Sequence, residues 1–291
     1  MLDSVMAAYD TTSSFEIKVS DTEYRRAEGQ IWLARIYQPC GKGPFPAILD
    51  VHGGVWSQGD RTTNAYLDQQ LAASGLVVVA IDFRLAPQYH YPAQVADINF
   101  ATRWLKAHAQ QFNADPHCVG TLGTSSGGHT AVLSAMRPYD ARYKALPLPE
   151  APDMDATVVW VMALWPVLDP YARYLYAQET GREELVIRTR DYFVTEETMQ
   201  EGNPQLILER REKVQLPPVL LIQGTADKNI PLSIPEKFAN SYLISGGELA
   251  LELFPGMPHG FANQPGPETE RALEIMKGWI ARQVATQKTK G

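Results

Sequence analysis

Three side chains in this sequence have the types and the surroundings for nucleophilic acyl chemistry. Ser125 lies in Gly123-Thr124-Ser125-Ser126-Gly127-Gly128, between the apolar run Cys118-Val119-Gly120-Thr121-Leu122 and a helix-like run through Met136. Strand, sharp turn and helix is the context in which G-x-S-x-G becomes a nucleophile elbow. Small residues flank the serine because the turn is tight and the helix passes close to neighbouring strands, and the hydroxyl is left at the tip. The same pentapeptide also serves as a plain glycine-rich turn, so the serine has to be weighed with its partners. A serine hydroxyl is a weak nucleophile at neutral pH. It needs a base to take its proton and a carboxylate to orient that base.

Asp227 and His259 are the candidates. Asp227 follows the apolar run Val219-Leu220-Leu221-Ile222 in Gly224-Thr225-Ala226-Asp227-Lys228-Asn229-Ile230-Pro231, and His259 follows Leu249-Ala250-Leu251-Glu252-Leu253-Phe254 in Gly256-Met257-Pro258-His259-Gly260-Phe261. With Ser125 they lie just beyond the C-terminal ends of predicted strands, the edge at which open parallel sheets build their sites. Taken singly, Asp227 reads as a turn or cap residue and His259 as a loop histidine; elbow, order and strand ends together favour a triad. His90 and His117 lack such a context and His108 lies on a helix. His129, in the first turn after the elbow, is expected to pack or to line the floor of the site.

A tetrahedral intermediate carries an oxyanion, and each preset donor around it is worth roughly 3 to 4 kcal/mol when removed. His52-Gly53-Gly54 follows the short strand Ala47-Ile48-Leu49-Asp50-Val51, where bare backbone can approach a reacting carbonyl. The expected donors are the N–H groups of Gly53 and Gly54 with that of Ser126. Trp56, Tyr171 and Phe261 are expected to contact substrate.

The elements that must position these residues form a regular series. Residues 15–19 and 31–37 alternate in polarity and read as antiparallel strands with one wetter face. Continuous apolar runs at 47–51, 76–81, 118–122, 157–164, 219–222 and 249–254 read as buried strands of a parallel sheet. Between them lie helices at 65–73, from Pro92 onward with Val95, Ile98, Ala101, Leu105 and Phe112 on one face, after the elbow, and at 235–244. The last helix carries the stripe Ala272, Ile275, Met276, Trp279 and Ile280. From 166 to 217 the pattern changes, with Tyr171, Tyr174, Tyr176, Tyr192 and Phe193 among charged helix formers. That excursion is of a size to drape over a pocket as a lid. The expected fold class is α/β, a mostly parallel sheet of about eight strands with helices on both faces, in a single domain over 1–291.

Composition narrows the function. With 45% hydrophobic residues among 291 the chain can bury a sizeable core, and a net charge of −7 gives no reason to expect nucleic acid or an anionic membrane as partner. Residues 1–14 lack a basic region followed by an apolar block, and no run approaches the roughly 20 apolar residues that span a bilayer. The expected location is cytoplasmic. Cys40 and Cys118 are too few for a disulfide framework and show no metal-ligand spacing; Cys118, in a predicted strand, reads as a buried, inert thiol.

The motifs His52-Gly53-Gly54-Val55-Trp56, Asp82-Phe83-Arg84-Leu85-Ala86-Pro87, the serine hexapeptide, Asp227 with Ile230-Pro231, and His259-Gly260-Phe261 together resemble the α/β-hydrolase carboxylesterases of the hormone-sensitive-lipase and arylformamidase-like groups. Serine, then aspartate, then histidine is also the chain order of that fold. The likeness runs from about residue 30 to the C-terminus. It implies hydrolysis of small acyl esters through an acyl-enzyme on Ser125, with no metal and no cofactor. Two departures matter. Val55 and Trp56 stand where the lipase-like group shows HGGG, closer to the HGGxW form of formamidases and small carbohydrate or feruloyl esterases. Thr124 stands where that group commonly has an acid; the resemblance implies that its side chain points away from the nucleophile. Amide hydrolysis on N-formyl substrates thus stays open, as does a homologue that only binds a small ligand. The final amphipathic helix leaves self-association as a homodimer open.

Overall fold

A computed structural model describes residues 7–27 and 29–289; residues 1–6, part of the N-terminal stretch read above, lie outside the described residues. The hairpin β1 (Ile17–Ala27) and β2 (Gln30–Pro39) opens the sheet, followed by β3 (Phe45–Val51), β4 (Val77–Ile81), β5 (Ala114–Thr124), β6 (Val161–Leu164), β7 (Val219–Gly224) and β8 (Leu249–Phe254). The spatial order is β1-β2-β4-β3-β5-β6-β7-β8. The pairs β1/β2 and β2/β4 are antiparallel and every other pair is parallel. The apolar runs find burial on both faces, except in the edge strand β8, expected to be buried, where only Phe254 is fully covered. In β4, Val78 and Ala80 pack with Leu67 and Leu71 of α1 (Ala65–Ala73) and with Met276 and Trp279 of the C-terminal helix (Pro267–Lys288). Val77, Val79 and Ile81 pack on the other face with Ile98, Ala101 and Leu105 of α2 (Ala93–His108). The C-terminal stripe therefore closes over the chain's own sheet.

The helix α3 (Ser126–Met136) follows the elbow, and α4 (Pro170–Glu179), α5 (Glu183–Phe193), α6 (Glu196–Glu201) and α7 (Pro204–Glu209) make up the 166–217 segment, before α8 (Ser233–Ile244) and the C-terminal α9 (Pro267–Lys288). Local chemistry starts these short helices. Asp169 and Asn203 accept from Ala172 N and Leu206 N with a proline just inside the helix, and Thr195 forms a capping box with Thr198. Several expected bounds shift: β1 covers Ile17–Ala27 in place of the expected 15–19, and β5 begins at Ala114, ahead of the 118–122 run. The regular ladder of β6 begins at Val161, although Val159 N already donates to Val119 O. Phe112 falls in a 3₁₀ turn after α2, where its ring meets that of Trp104 at 5.6 Å. No helix among the described residues is long and apolar enough to cross a membrane.

Candidate active site

Strand β5 delivers Ser125 to the C-terminal edge of the sheet in a strained backbone conformation, φ 53° and ψ −118°. Such a conformation persists only where neighbours hold it. Ser125 N donates to Leu164 O and Ser125 O accepts from Val167 N, which pins the elbow to the end of β6. Gly127 is required two residues later, because a Cβ there would lie 2.2 Å from Val51 O. The first turn of α3 is thereby seated against the end of β3, with its orphan N–H groups next to the serine.

The base and its orienting acid come from the turns after β8 and β7. His259 Nε2 lies 3.0 Å from Ser125 Oγ, and His259 Nδ1 lies 2.7 Å from Asp227 Oδ2. A carboxylate only accepts, so Nδ1 carries the proton and Nε2 is left free to accept from the serine. Asp227 Oδ2 also accepts from Gln223 Nε2, and Oδ1 accepts from the backbone N–H groups of Asn229 and Ile230. Burial by itself raises the pKa of this carboxyl, but His259, through its hydrogen bond and charge, the Ile230 N–H and the Gln223 amide outweigh it and the net shift is downward.

The loop after β3 carries the other expected group, with one correction. Gly53 N donates to Thr124 Oγ1 at 2.9 Å, so it is not an open donor. Thr124 Oγ1 in turn donates to Asn64 Oδ1, and Asn64 Nδ2 donates to the buried carboxylate of Asp50. The threonine at the acid position thus buttresses the loop, a role that nothing in its local sequence announces. Among the described residues the N–H groups of Gly54, Val55 and Ser126 have no acceptor, and Gly54 and Val55 line the cavity. Gly54 is at φ 116° with Gln58 O 2.1 Å from where its Cβ would sit, so no other residue fits. Val55 and Trp56 follow at φ 49° and 61°, and Trp56 N donates to Ser126 Oγ, tying the loop to the elbow.

Ser125 and His259 open into a cavity of about 560 Å³ whose wall includes Trp165, Arg173, Leu185, Asn229 and Ile230. The three residues expected to contact substrate are not in that wall, which corrects the expectation for each. Trp56 is buried, stacked on Tyr192 at 5.2 Å, with Nε1 donating to His129 Nδ1. Tyr171 is half-buried and donates to Glu196, while Phe261 packs against the rings of Phe254 and Trp165. His129 is packed, donating from Nε2 to Gly202 O, and burial holds its pKa down at about 4, so it is neutral near pH 7. No group of three or more His, Cys, Asp or Glu able to hold a metal is found among the described residues, and Cys40 and Cys118 are not joined in a disulfide.

A twisted eight-stranded sheet, parallel from β4 to β8, with a serine elbow after its fifth strand and an acid and a histidine after its last two, is the α/β-hydrolase fold. Within it, the chain belongs to the BD-FAE family, whose model matches residues 35–242. Among curated proteins the chain is similar to the esterase LipC of Mycobacterium tuberculosis, 28% identical over 236 residues that make up 78% of this chain. It spans only 55% of LipC's own length. Among solved structures it is similar to a butyrate-bound thermophilic esterase from Thermogutta terrifontis, with a TM-score of 0.72, 24% identity and coverage of 92% and 94% of the two chains. It is also similar to a hyperthermophilic esterase from the archaeon Pyrobaculum calidifontis, with a TM-score of 0.75, 24% identity and coverage of 91% and 85%.

Proposed function

We propose that this chain is a serine hydrolase of carboxylic esters with small acyl groups, acting through an acyl-enzyme on Ser125. His259 takes the proton of Ser125 as the oxygen attacks the ester carbonyl, and then delivers that proton to the departing alkoxide. Asp227 holds the imidazole in the tautomer that can accept and offsets the charge of the imidazolium. The N–H groups of Gly54, Val55 and Ser126 receive the oxyanion, each contributing roughly 3 to 4 kcal/mol to the transition state. Water, activated by the same histidine, releases the acid. In this reading 166–217 is part of a single domain and serves as a wall of the acyl or alcohol pocket, to which it contributes Arg173 and Leu185.

The observation that carries the reading is the unbroken hydrogen-bond line from Ser125 Oγ through His259 to Asp227 at 3.0 and 2.7 Å. Butyrate in the Thermogutta esterase is that protein's ligand, and it supports a short acyl chain here. Turnover of p-nitrophenyl acetate, butyrate and longer esters, together with mass-spectrometric detection of a fluorophosphonate on Ser125, tests it. Absence of both turnover and label in folded protein overturns it.

A further inference from the structure

Arg173 is the unusual residue of the cavity wall. It is 1% exposed, and its guanidinium has five N–H donors, of which one is accepted within the protein, by Thr189 Oγ1 at 2.8 Å. Nε is buried with no acceptor, and Nη1 has none among the described residues. No carboxylate there lies within ion-pair distance of it, and its remaining contact is the face of the Trp56 ring at 5.2 Å. Burial draws its pKa down to about 10, which leaves it charged at neutral pH.

The other covered arginines are provided for. Arg25 and Arg84 share Asp97, Arg137 is held by Glu201 and Glu212, and Arg61 by Asp21 and Asp82. Arg103 also lacks a carboxylate, but Asn99 Oδ1 and Leu146 O accept from it and it does not line the cavity. An ion taken out of water without a partner is costly, and a hydroxyl and a ring face do not replace a counter-ion. Arg173, which lacks such a partner, borders the same cavity as Ser125 and His259.

We propose that Arg173 binds a carboxylate carried by the substrate, so that the preferred ester is anionic, with its charge on the arm that reaches α4 and α5. This rests on the hydrolase reading above. A single negative charge suits the site better than a doubly charged phosphate, because the second cation of the wall, Arg182, already donates to Asn229 Oδ1 and the exposed Glu183 and Glu184 also border the cavity. Arg173 then acts as a specificity-determining residue, filling its open N–H donors when substrate is bound.

The test compares isosteric neutral and anionic esters in a pH-stat at pH 8. Monomethyl glutarate against methyl 5-methylhexanoate places the charge on the acyl side, and 4-acetoxybutanoate against 4-methylpentyl acetate places it on the alcohol side. The wild type is expected to favour the anionic member of one pair by tenfold or more in kcat/KM. Arg173→Met, close in volume and without charge, is expected to lose that preference, read as the ratio of kcat/KM within each pair so that any loss of activity common to both esters cancels. A wild type that treats both pairs alike overturns the inference without any variant, as does a preference that survives Arg173→Met. Should Arg173→Met fail to fold, Arg173→Lys decides: it keeps the positive charge and must keep part of the preference, and complete loss of discrimination by the folded Lys variant overturns the inference. Fluorophosphonate labelling runs alongside. Labelled protein without anion preference refutes this inference only, whereas unlabelled protein that turns over no ester refutes the hydrolase reading beneath it.

Discussion

Replacing Asp227 by asparagine asks the sharpest question of the site. Four donors converge on this carboxylate: Asn229 N at 2.7 Å and Ile230 N at 2.9 Å on Oδ1, and Gln223 Nε2 at 2.9 Å and His259 Nδ1 at 2.7 Å on Oδ2. The amide oxygen of an asparagine must stay with the two backbone N–H groups, which cannot turn away. Its NH₂ then replaces Oδ2 and points donors at two donors. Gln223 can answer by rotating its own amide, since its buried Oε1 has no partner and gains one. His259 can answer only by giving up the Nδ1 proton and holding one on Nε2, where it donates to Ser125 Oγ instead of accepting from it. The imidazole is then in the wrong tautomer to act as a base, an error that costs about 10⁴ in kcat in triad hydrolases, or about 5.5 kcal/mol of barrier. All four contacts at this position can be re-formed in this way, and the flip of Gln223 gives up only its bond to Gly224 O, so the fold should lose no more than about 1 to 2 kcal/mol. The assay is kcat on p-nitrophenyl butyrate for wild type and Asp227→Asn, with urea unfolding of both. A folded variant within tenfold of wild type would refute the assignment of Asp227 as the group that orients the base.

Trp56→Phe keeps a ring stacked on Tyr192 but leaves His129 Nδ1 buried without a donor, so unfolding free energy should fall by about 1 to 3 kcal/mol in urea titrations. kcat/KM should stay within threefold; a KM raised tenfold would put the tryptophan back in contact with substrate. Asp50 supplies a pH test. Burial lifts its pKa from 3.8 to about 7, with the Asn64 amide working against that rise, and it is flanked by Asp68, also raised by burial and by the charge of Asp50. Between roughly pH 4 and 7 the native state holds a proton that the unfolded chain releases, so stability from this group is full below pH 4 and is lost as pH rises through 7. Asp50→Asn should make that decline in urea midpoint shallower between pH 5 and 8, and an unchanged slope would contradict the buried protonation.

The eight strands and the chain order of serine, acid and histidine could be read directly because each rests on contiguous residues: apolar runs bounded by Gly and Pro, and turns that name their own chemistry. What could not be read depends on partners far along the chain. Gly53 looks as open as Gly54 until Thr124, delivered by β5, takes its N–H. Trp56 looks like a pocket residue until Tyr192 and Phe193 of α5 close over its ring. Arg173 sits in a helix with Tyr171, Tyr174 and Tyr176, where a charge reads as a solvated face, and only the packing of α4 on α5 removes it from water. β6 is regular only over Val161–Leu164 of the 157–164 run, and Phe112 lies in a 3₁₀ turn past the end of α2; both shifts fall at element ends, where periodicity alone does not set the boundary.

These tertiary partners also divide the site into two parts with different supports. The serine, the acid and the histidine stand on strand ends and on turns held by backbone bonds, and the 166–217 segment touches them at its margins, through Val167 N on Ser125 O and through Tyr176 and Arg182 on the turn after Asp227. The oxyanion loop is different. Trp56 N is tied to Ser126 Oγ, Trp56 O accepts from Ala86 N and Gln94 Nε2, and the indole is clamped between His129, Arg173 and the α5 aromatics. The residue that we assign to substrate charge therefore touches the ring that fixes the loop to which we assign the oxyanion donors. A ligand carboxylate that draws the guanidinium toward the cavity acts on that ring face, whereas a neutral ester leaves it alone. Charge recognition should therefore register in kcat as well as in KM, because the same contact orders the donors at the moment they are needed.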